Sequence, residues 1–439
     1  MGSGTNLVFI VSNMTVQLAA GLLLAAYLEP QGFGAFAVGM LALESALVFV
    51  HLPGVAFVRE YSTAEREEAL STVAAIKLWL ALPAAGAMAL LAYPLADLFH
   101  VPAGMIQILA MIPVMTVFSS VAVMVFESRR RMVRRNIPVI AESAGRLAAI
   151  LAVLATGFVL GSPEETAALV WLLGTLPSVA IAVALAPFPR LRGASRAKAR
   201  EYFSFGWKTT LAQFIQKQLM WIGTLAILLF YVGTSAELAQ ELSGLFKVAF
   251  SLMFYIVTFG TAVIVMVYPM MSRAFAIEDG QARRLEAHRL LSLAFYYELI
   301  IALPLALALL LGAPAAFELL LPGFATAAPY AQALAPAGVV LALTLPAAAM
   351  LPAANRPDLI LRLFLLQLAV AVGLNAALVP QAGAPWGGAW GAVIADWGAA
   401  IAGFAYVHLL ARGIGIPFPS FAVFREALRK RAPDAPPAP

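Results

Sequence analysis

Twelve apolar stretches dominate the sequence and restrict the folds that it can adopt. A helix needs about 20 predominantly apolar residues to cross the hydrocarbon core of a membrane. The connections between the stretches are short, which leaves no segment long enough for an extramembrane domain. We therefore predict an all-α polytopic membrane protein with spans near residues 6–27, 35–57, 72–93, 104–127, 137–160, 166–188, 208–231, 243–268, 290–312, 329–352, 359–379 and 386–410.

The composition supports the membrane class. Of the 439 residues, 62% are hydrophobic and only 12% are charged, whereas an ordinary soluble domain carries about 25% charged residues. So few charges cannot cover a soluble globule of this size, and intrinsic disorder requires the opposite bias. The sequence contains no cysteine, which excludes disulfide bonds and thiolate metal sites.

Lysine and arginine are confined to every second connection between the stretches. The connections without Lys or Arg are 28–34, 94–103, 161–165, 232–242, 313–328 and 380–385. The other connections and the C-terminal segment hold 25 of the 28 basic residues. The positive-inside rule assigns the basic side to the cytoplasm. We therefore predict an even number of spans with both termini cytoplasmic, and we interpret the net charge of +5 as a topology signal rather than as a nucleic-acid-binding signal.

A basic segment divides the stretches into two sets of six, and the two sets are weakly alike. The sequence GAFAV at 34–38 opens the second stretch, and GLFKV at 244–248 opens the eighth. We expect two pseudo-symmetric six-helix bundles around a central cavity, because transporters built from repeats bind substrate between the repeats. The predicted divisions are an N-terminal lobe (1–188), a basic cytoplasmic linker (189–207), a C-terminal lobe (208–411), and a tail (412–439) with a basic amphipathic helix and a disordered end.

Three basic residues lie inside predicted spans: Arg146, Lys217 and Lys247. A charge at the bilayer centre costs about 2.5–3.5 kcal/mol on insertion scales, so each should face a partner or a water-filled cavity. Lys217 lies near Gln213 and Gln216, and this polar cluster favours a cavity-lining face. Because anionic groups such as diphosphates are bound by Lys and Arg, the three cations are candidate substrate-binding residues.

Other interpretations of the buried cations remain open. Glu142 lies four residues before Arg146, so a self-compensated helical pair is an alternative to ligand contact. Lys247 lies one turn into its span and could instead extend its ammonium group outward. We expect Lys77, at the start of the third span, to reach the cytoplasmic surface in that way.

Several acidic and neutral polar residues also lie inside predicted spans. Glu44, Glu298 and Asp396 could couple transport to H⁺ or Na⁺, or could neutralise the buried lysines. Possible cavity-lining side chains, for which packing hydrogen bonds are the alternative, are Asn13, Gln17 and Asn375. We expect no cofactor and no metal site, because the four histidines have no ligand spacing and no phosphate-binding loop motif is present.

Short segments along the whole chain resemble one family of transporters. They are YLEPQGFG at 27–34, YPMMSR at 268–273, LPGF at 321–324, ANR at 354–356, NAALVP at 375–380 and GGA at 387–389. In this order they resemble the multidrug/oligosaccharidyl-lipid/polysaccharide (MOP) flippase superfamily and, within it, the Wzx-like polysaccharide transporters.

This resemblance implies a transporter of the bacterial inner membrane without catalytic residues. It implies alternating access that moves an undecaprenyl-pyrophosphate-linked oligosaccharide, an O-antigen or exopolysaccharide repeat unit, from the cytoplasmic to the periplasmic leaflet. The implied partners are this lipid-linked glycan, membrane lipids, and a glycan polymerase or export machinery, but no nucleic acid.

Two other functions are compatible with the sequence. A multidrug/cation antiporter of the same superfamily would share the spans, although such proteins usually have acidic cavities. An integral-membrane glycan polymerase or ligase would need a large extracytoplasmic loop with charged catalytic residues. The connection 313–328 carries only Glu318 as a charge, which argues against this second alternative.

Overall fold

The computed structural model describes residues 2–51, 67–129, 131–186, 188–381, 384–385 and 387–431. Within these ranges the secondary structure is helical and no β-strand occurs. The α-helices, in chain order, are α1 (Gly2–His51), α2 (Glu67–Phe99), α3 (Ala103–Leu109), α4 (Ile112–Ser128), α5 (Met132–Thr156), α6 (Pro163–Leu185), α7 (Arg196–Leu219), α8 (Ile222–Tyr231), α9 (Ala236–Phe275), α10 (Gly280–Leu320), α11 (Ala328–Ala353), α12 (Pro357–Leu378), α13 (Ala389–Gly413) and α14 (Phe421–Arg431). Two short 3₁₀ helices are Leu191–Gly193 and Pro322–Ala327.

Most of these helices are long and apolar enough to cross a membrane. Among the described residues ten candidate spans are present, or eleven if α7 and α8, which bend by 53° at a short break, form one span. The all-helical, multi-pass membrane architecture predicted from the apolar stretches is therefore confirmed.

Helix α1 folds back on itself at Glu29. The backbone of Glu29 is non-helical (φ 56°, ψ 174°), a conformation that residues other than glycine rarely adopt, and the following Pro30 cannot donate a helical hydrogen bond. In one straight helix Gln17 and Glu44 would lie roughly 40 Å apart. Both instead line a single cavity of about 410 Å³, so α1 consists of two arms, 2–28 and 30–51.

The helices pack in two sets that meet mainly through α1 and α9. Helices α1 to α6 contact one another, and helices α8 to α13 contact one another. Helix α7 contacts α12 of the second set but also α1 and α2 of the first. It begins at Arg196, where the Ser195 hydroxyl accepts from the Lys198 amide, so half of the segment predicted as a linker is helical.

The two sets approach closely through a reciprocal pair of glycines. A Cβ atom at Gly34 would meet the carbonyl of Gln240 and lie 2.6 Å from the Ser243 hydroxyl. A Cβ atom at Gly244 would meet the carbonyl of Pro30 and lie 3.0 Å from the Gly34 amide nitrogen. Each glycine thus packs against the residue four positions before the other glycine. Small residues permit such close backbone contact between membrane helices, and we call this contact the glycine seal.

Further contacts strengthen the same end of the bundle. The Gln240 side-chain amide donates to the carbonyl oxygens of Phe99 and His100, both at 3.0 Å. The rings of Phe33 and Phe324 meet edge to face with centroids 6.0 Å apart. The turn of α1, the end of α2 and the 3₁₀ helix before α11 therefore lie together at this end.

Lys77 does not reach the surface, which corrects the sequence-based prediction. Its side chain is completely buried, and its Nζ donates to the carbonyl oxygen of Val50 at 2.5 Å. The last carbonyl groups of a helix lack helical partners, and a cation there interacts favourably with the helix dipole. Lys77 therefore caps the second arm of α1.

The tail helix α14 packs on the protein through one aromatic residue. Phe424 is buried, with its ring 5.1 Å from Tyr296 and 5.7 Å from Tyr297 of α10. Phe421 is 59% exposed. The apolar face that was expected to lie on lipid is therefore shared between α10 and the exterior. The predicted disordered end, 432–439, lies outside the described residues.

Candidate functional site

A cavity of about 410 Å³ lies between the two sets of helices. Both arms of α1, helices α5, α6, α7 and α9, and the break between α7 and α8 contribute to its wall. Its polar and aromatic lining comprises Gln17, Phe33, Phe36, Glu44, Ser143, Arg146, Trp171, Lys217, Trp221, Lys247, Ser251 and Tyr255. We call this space the main cavity. The three span cations identified in the sequence all line it.

Arg146 is held on two sides. Its guanidinium pairs with Glu142, four residues earlier on α5, and lies 4.7 Å from the centre of the Trp171 ring. The Nε atom is buried and makes no hydrogen bond within the described residues. The helical pair expected from the sequence is present, and the same side chain also lines the cavity.

Lys217 connects the two sets of helices. Its Nζ lies 3.0 Å from Glu44 Oε2 on the second arm of α1, and Gln218 donates to the Ser45 hydroxyl at 3.1 Å. The Lys217 side chain remains 44% exposed. Glu44 therefore neutralises part of the charge of Lys217 while the ammonium group stays accessible.

Lys247 differs from the other two cations because no described carboxylate lies within 4.0 Å of it. Its Nζ donates to the carbonyl oxygen of Met220 at 3.2 Å and lies 3.3 Å from the centre of the Trp221 ring. Only 7% of the residue is exposed. A buried cation satisfied by one carbonyl and a ring face gains strong charge-assisted hydrogen bonds when an anion approaches.

The helix break beside Lys247 has a visible cause. The amides of Met220 and Trp221 turn back to the carbonyls of Lys217 and Gln218, a 3₁₀ tightening typical of a helix end. The Met220 carbonyl is then satisfied by Lys247 rather than by a continuing helix. A side chain inserted into the hydrogen-bond ladder is a recognised cause of a kink.

The polar residues expected near the cavity are only partly brought together. Gln17 lines the main cavity. Asn13 does not line it but accepts a hydrogen bond at 2.7 Å from Ser143, which does. Gln213 is exposed and lines neither this cavity nor the second one described below. Gln216 is one helical turn away on α7 and faces that second cavity.

The second cavity, of about 100 Å³, lies among α7, α9, α11, α12 and α13. Asp396 lines it together with Gln216, Gln367 and Thr344, and most of the other lining side chains are apolar. Asp396 therefore lies outside the main cavity, although it attracts Lys247 electrostatically.

Two predicted site residues line neither cavity. Asn375 is buried and donates back to the carbonyl of Ala371 at 2.8 Å. Glu298 is completely buried on α10 and packs against Gly260 of α9, and neither carboxylate oxygen has a partner within the described residues. Their hydrogen-bonding and packing environments are internal to the helix bundle.

Sequence reasoning missed the aromatic part of the main cavity. Trp171 and Trp221 each present a ring face to a cavity cation, and Tyr255 and Ser251 complete the α9 side. One signal was available: Trp221 falls in the middle of an apolar stretch, whereas membrane tryptophans are enriched at the interfaces. The pairing with cations depends on helix packing and leaves no sequence pattern.

Solved structures with this fold are transporters. Over 93% of this chain and 98% of the other, the structure matches an "inward-facing conformation of a multidrug resistance MATE family transporter of the MOP superfamily", with a TM-score of 0.70 and 17% identity. The outward-facing conformation of such a transporter matches with a TM-score of 0.60 and 17% identity, over 94% and 95% of the two chains.

A further match is a MOP superfamily transporter from Pyrococcus furiosus, described by the words "reverse polarity of binding pocket suggests different function". Its TM-score is 0.61 at 18% identity, with 93% of this chain and 95% of the other covered. These identities establish a common fold. No curated protein matches the sequence.

A family model for polysaccharide biosynthesis proteins matches residues 23–323, more than half of the chain. The match includes both arms of the α1 turn, the three cations of the main cavity and the glycine seal. The chain therefore belongs to the polysaccharide biosynthesis protein family and is a member of the MOP flippase superfamily.

Proposed function

We propose that this membrane transporter flips an undecaprenyl-pyrophosphate-linked oligosaccharide from the cytoplasmic to the periplasmic leaflet of the bacterial inner membrane by alternating access. The observation that carries this proposal is the convergence of Arg146, Lys217 and Lys247 on one cavity between the two helix sets. The family match supports a glycan as the transported group.

The chemistry of the main cavity suits a diphosphate headgroup. Arginine binds phosphate oxygens in a planar fork, and lysine binds them as a point charge. Lys247 has no described carboxylate partner within salt-bridge distance, so an incoming anion competes only with the Met220 carbonyl and two ring faces. The volume of about 410 Å³ falls in the usual range of small-molecule sites, so only the headgroup region of the glycan is enclosed.

We further propose twelve spans with both termini cytoplasmic. The two arms of α1 count as two spans, and the bent pair α7 and α8 counts as one. The α1 turn, the end of α2 and the turn before α11 lie at one end of the bundle, and all three belong to connections without Lys or Arg. This clustering supports a periplasmic location for the glycine seal.

A multidrug/cation antiporter is the second candidate function. Two of the cavity cations have carboxylate partners, Glu142 and Glu44, and an organic cation could displace Arg146 or Lys217 from them. The structural matches to multidrug transporters favour the same alternative at the level of the fold. Nothing comparable favours a glycan polymerase or ligase, because the cavity holds no pair of carboxylates directed at a common point.

The acids divide by environment with respect to ion coupling. Glu44 is paired with Lys217, and Glu298 lines neither cavity. We assign H⁺ or Na⁺ coupling, if transport is coupled, to Asp396. The proposed partners are the lipid-linked glycan, membrane lipids and the machinery that polymerises or exports the glycan.

Flipping can be measured with purified protein in liposomes that contain a fluorescent undecaprenyl-pyrophosphate-linked oligosaccharide. A membrane-impermeant quencher reports the fraction of glycan in the outer leaflet over time. We expect Lys247→Ala and Arg146→Ala to slow flipping at least tenfold, and Lys208→Ala, at an exposed basic position, to leave the rate unchanged. Wild-type rates in all three cavity variants, Lys217→Ala included, would refute the cation site.

The antiporter alternative is tested in the same vesicles. Accumulation of ethidium in response to a pH or Na⁺ gradient, with no glycan flipping, would replace the proposed function. The absence of native cysteines adds a direct test of site occupancy. A thiol introduced by Lys217→Cys should react with aqueous reagents and be protected by the lipid-linked glycan.

A further inference from the structure

The second cavity contains a buried carboxyl group without a hydrogen-bond partner. Asp396 is only 7% exposed, and its Oδ2 atom makes no hydrogen bond within the described residues. The residue lines a cavity of about 100 Å³ rather than a packed interface. Burying an ionised carboxylate without compensation is strongly unfavourable, so this group needs a neutralising ligand.

The lining of the second cavity defines the class of that ligand. Besides Asp396, the available acceptors are the side-chain oxygens of Gln216, Gln367 and Thr344. The Gln367 amide NH₂ donates to the Ala399 carbonyl at 3.3 Å, and the Thr344 hydroxyl donates to the Val340 carbonyl at 2.8 Å, so each engages its donor elsewhere. A space this small excludes drug-sized cations, which need about 300 Å³ or more. Oxygen donors and one carboxylate suit a proton or a small hard cation.

Lys247 forms the wall between the two cavities. Its ammonium group lines the main cavity, whereas two of its contacts, Met220 and Phe250, line the second cavity. Asp396 and Lys247 interact electrostatically across this wall. The charge state of Asp396 therefore changes the field that an anion in the main cavity experiences.

We propose that the second cavity binds a monovalent cation, a proton or Na⁺, at Asp396, and that this cation strengthens anion binding at Lys247 in the main cavity. An ionised Asp396 cancels part of the positive field of Lys247, and a neutralised Asp396 does not. By linkage, an anion in the main cavity must in turn strengthen cation binding at Asp396 by the same factor. This inference rests on the proposed function only in identifying the anion with the phosphate group of the cargo.

Other titratable groups act weakly on Asp396. The described helices packed against α13 are α8, α9, α11 and α12. Their titratable side chains are Tyr231 on α8, Glu237, Glu241, Lys247, Tyr255, Tyr268 and Arg273 on α9, Tyr330 on α11, and Asp358 and Arg362 on α12. Of these, Lys247 is the one that interacts with Asp396. Glu44 and Lys217 act on Lys247 from the far side of the wall.

The test compares pyrophosphate affinity between wild type and Asp396→Asn, with full-length protein in detergent. Measuring both proteins under identical conditions cancels the ionisation of pyrophosphate itself. At alkaline pH without Na⁺ we expect the variant to bind on the order of tenfold more tightly, within the usual range of coupling between two sites. Glu298→Gln, which neutralises a buried carboxyl group outside both cavities, should bind like wild type.

The cation is identified by what removes this difference. If acidification brings the two affinities together, the ligand is a proton; if Na⁺ does so and choline does not, the ligand is Na⁺. Equal affinities under all conditions, or a tenfold difference that neither acid nor Na⁺ removes, would overturn the inference. Infrared difference spectra of wild type supply a second measurement, in which the titrating band of a protonated carboxylic acid, or a Na⁺-dependent carboxylate band, must be missing from Asp396→Asn.

Failure of this inference is distinguishable from failure of the proposed function. If Lys247→Ala weakens pyrophosphate binding while Asp396→Asn does not alter it, the cation site is wrong and the anion site stands. If Arg146→Ala, Lys217→Ala and Lys247→Ala all bind pyrophosphate like wild type, the anion site itself is wrong. The infrared spectra then still decide whether Asp396 binds a cation.

Discussion

The glycine seal permits a sharp test of how the two helix sets separate. At Gly244 the α9 backbone lies directly against the α1 turn, and a Cβ atom there would lie 3.0 Å from the Gly34 amide nitrogen and closer still to the Pro30 carbonyl oxygen. We predict that Gly244→Ala disfavours the sealed state and opens the main cavity at this end.

The expected size of the effect follows from the geometry. Non-bonded carbon contacts are optimal at about 3.5–4.0 Å, so the added methyl group requires the helices to move apart by about 1 Å. Overpacking of this kind costs about 1–3 kcal/mol. Because the cost arises only where α1 and α9 touch, it should shift the ratio of open to sealed molecules by roughly 5- to 150-fold.

Thiol accessibility measures this shift directly. Ser251 lines the main cavity, and Ser251→Cys introduces a single thiol into a chain without cysteines. We expect a membrane-impermeant maleimide applied from the periplasmic face to label this thiol faster when Gly244→Ala is added. Gly86→Ala is the matched control, because no atom lies within 4 Å of a Cβ at that helical position.

Equal labelling rates in the Gly244→Ala and Gly86→Ala backgrounds would refute the reasoning. A second result must also hold, because the contact is reciprocal. Gly34→Ala should accelerate labelling in the same way, and the double variant should show less than the product of the two effects, since one separation accommodates both methyl groups. Independent, multiplicative effects would mean that the two glycines do not share one contact.

Two further predictions concern individual charged residues. Glu44→Gln removes the carboxylate 3.0 Å from Lys217 and, because exposed pairs are weak, should tighten pyrophosphate binding only about two- to fivefold in equilibrium dialysis; weaker binding would contradict this balance of charges. Lys77→Ala leaves the Val50 carbonyl uncapped and creates a cavity, so it should lower the free energy of unfolding by about 2–4 kcal/mol. A thermal unfolding midpoint equal to that of Lys208→Ala would show that the Lys77 cap contributes nothing.

The sequence predicted the membrane class because that class depends on local properties. Apolar stretches of about 20 residues satisfy their own backbone hydrogen bonds as helices, whatever their neighbours are. The interior position of Arg146, Lys217 and Lys247 followed from the same patterns, as did the pairing of Arg146 with Glu142, which is set by one turn of helix. The relation between segments 34–38 and 244–248 was also visible, although not their contact.

Tertiary packing decided the details that no local pattern contains. Lys77 and Lys247 both begin their spans near an end, yet one caps the Val50 carbonyl and the other holds the Met220 carbonyl at a helix break. Which carbonyl a lysine reaches depends on the neighbouring helix, so outward extension was a reasonable but wrong prediction for Lys77. Asp396 was separated from the main cavity for the same reason.

Sequence alone determined that this chain is a bundle of membrane helices with three cations in its interior, because hydropathy and helical spacing act over single segments. Only the folded arrangement decided that these cations meet in one cavity, that two glycines 210 positions apart close one end of it, and that a bare carboxyl group lies behind Lys247. Such contacts join residues from different helices, and their distances are fixed by how the helices pack rather than by any property of the segments themselves.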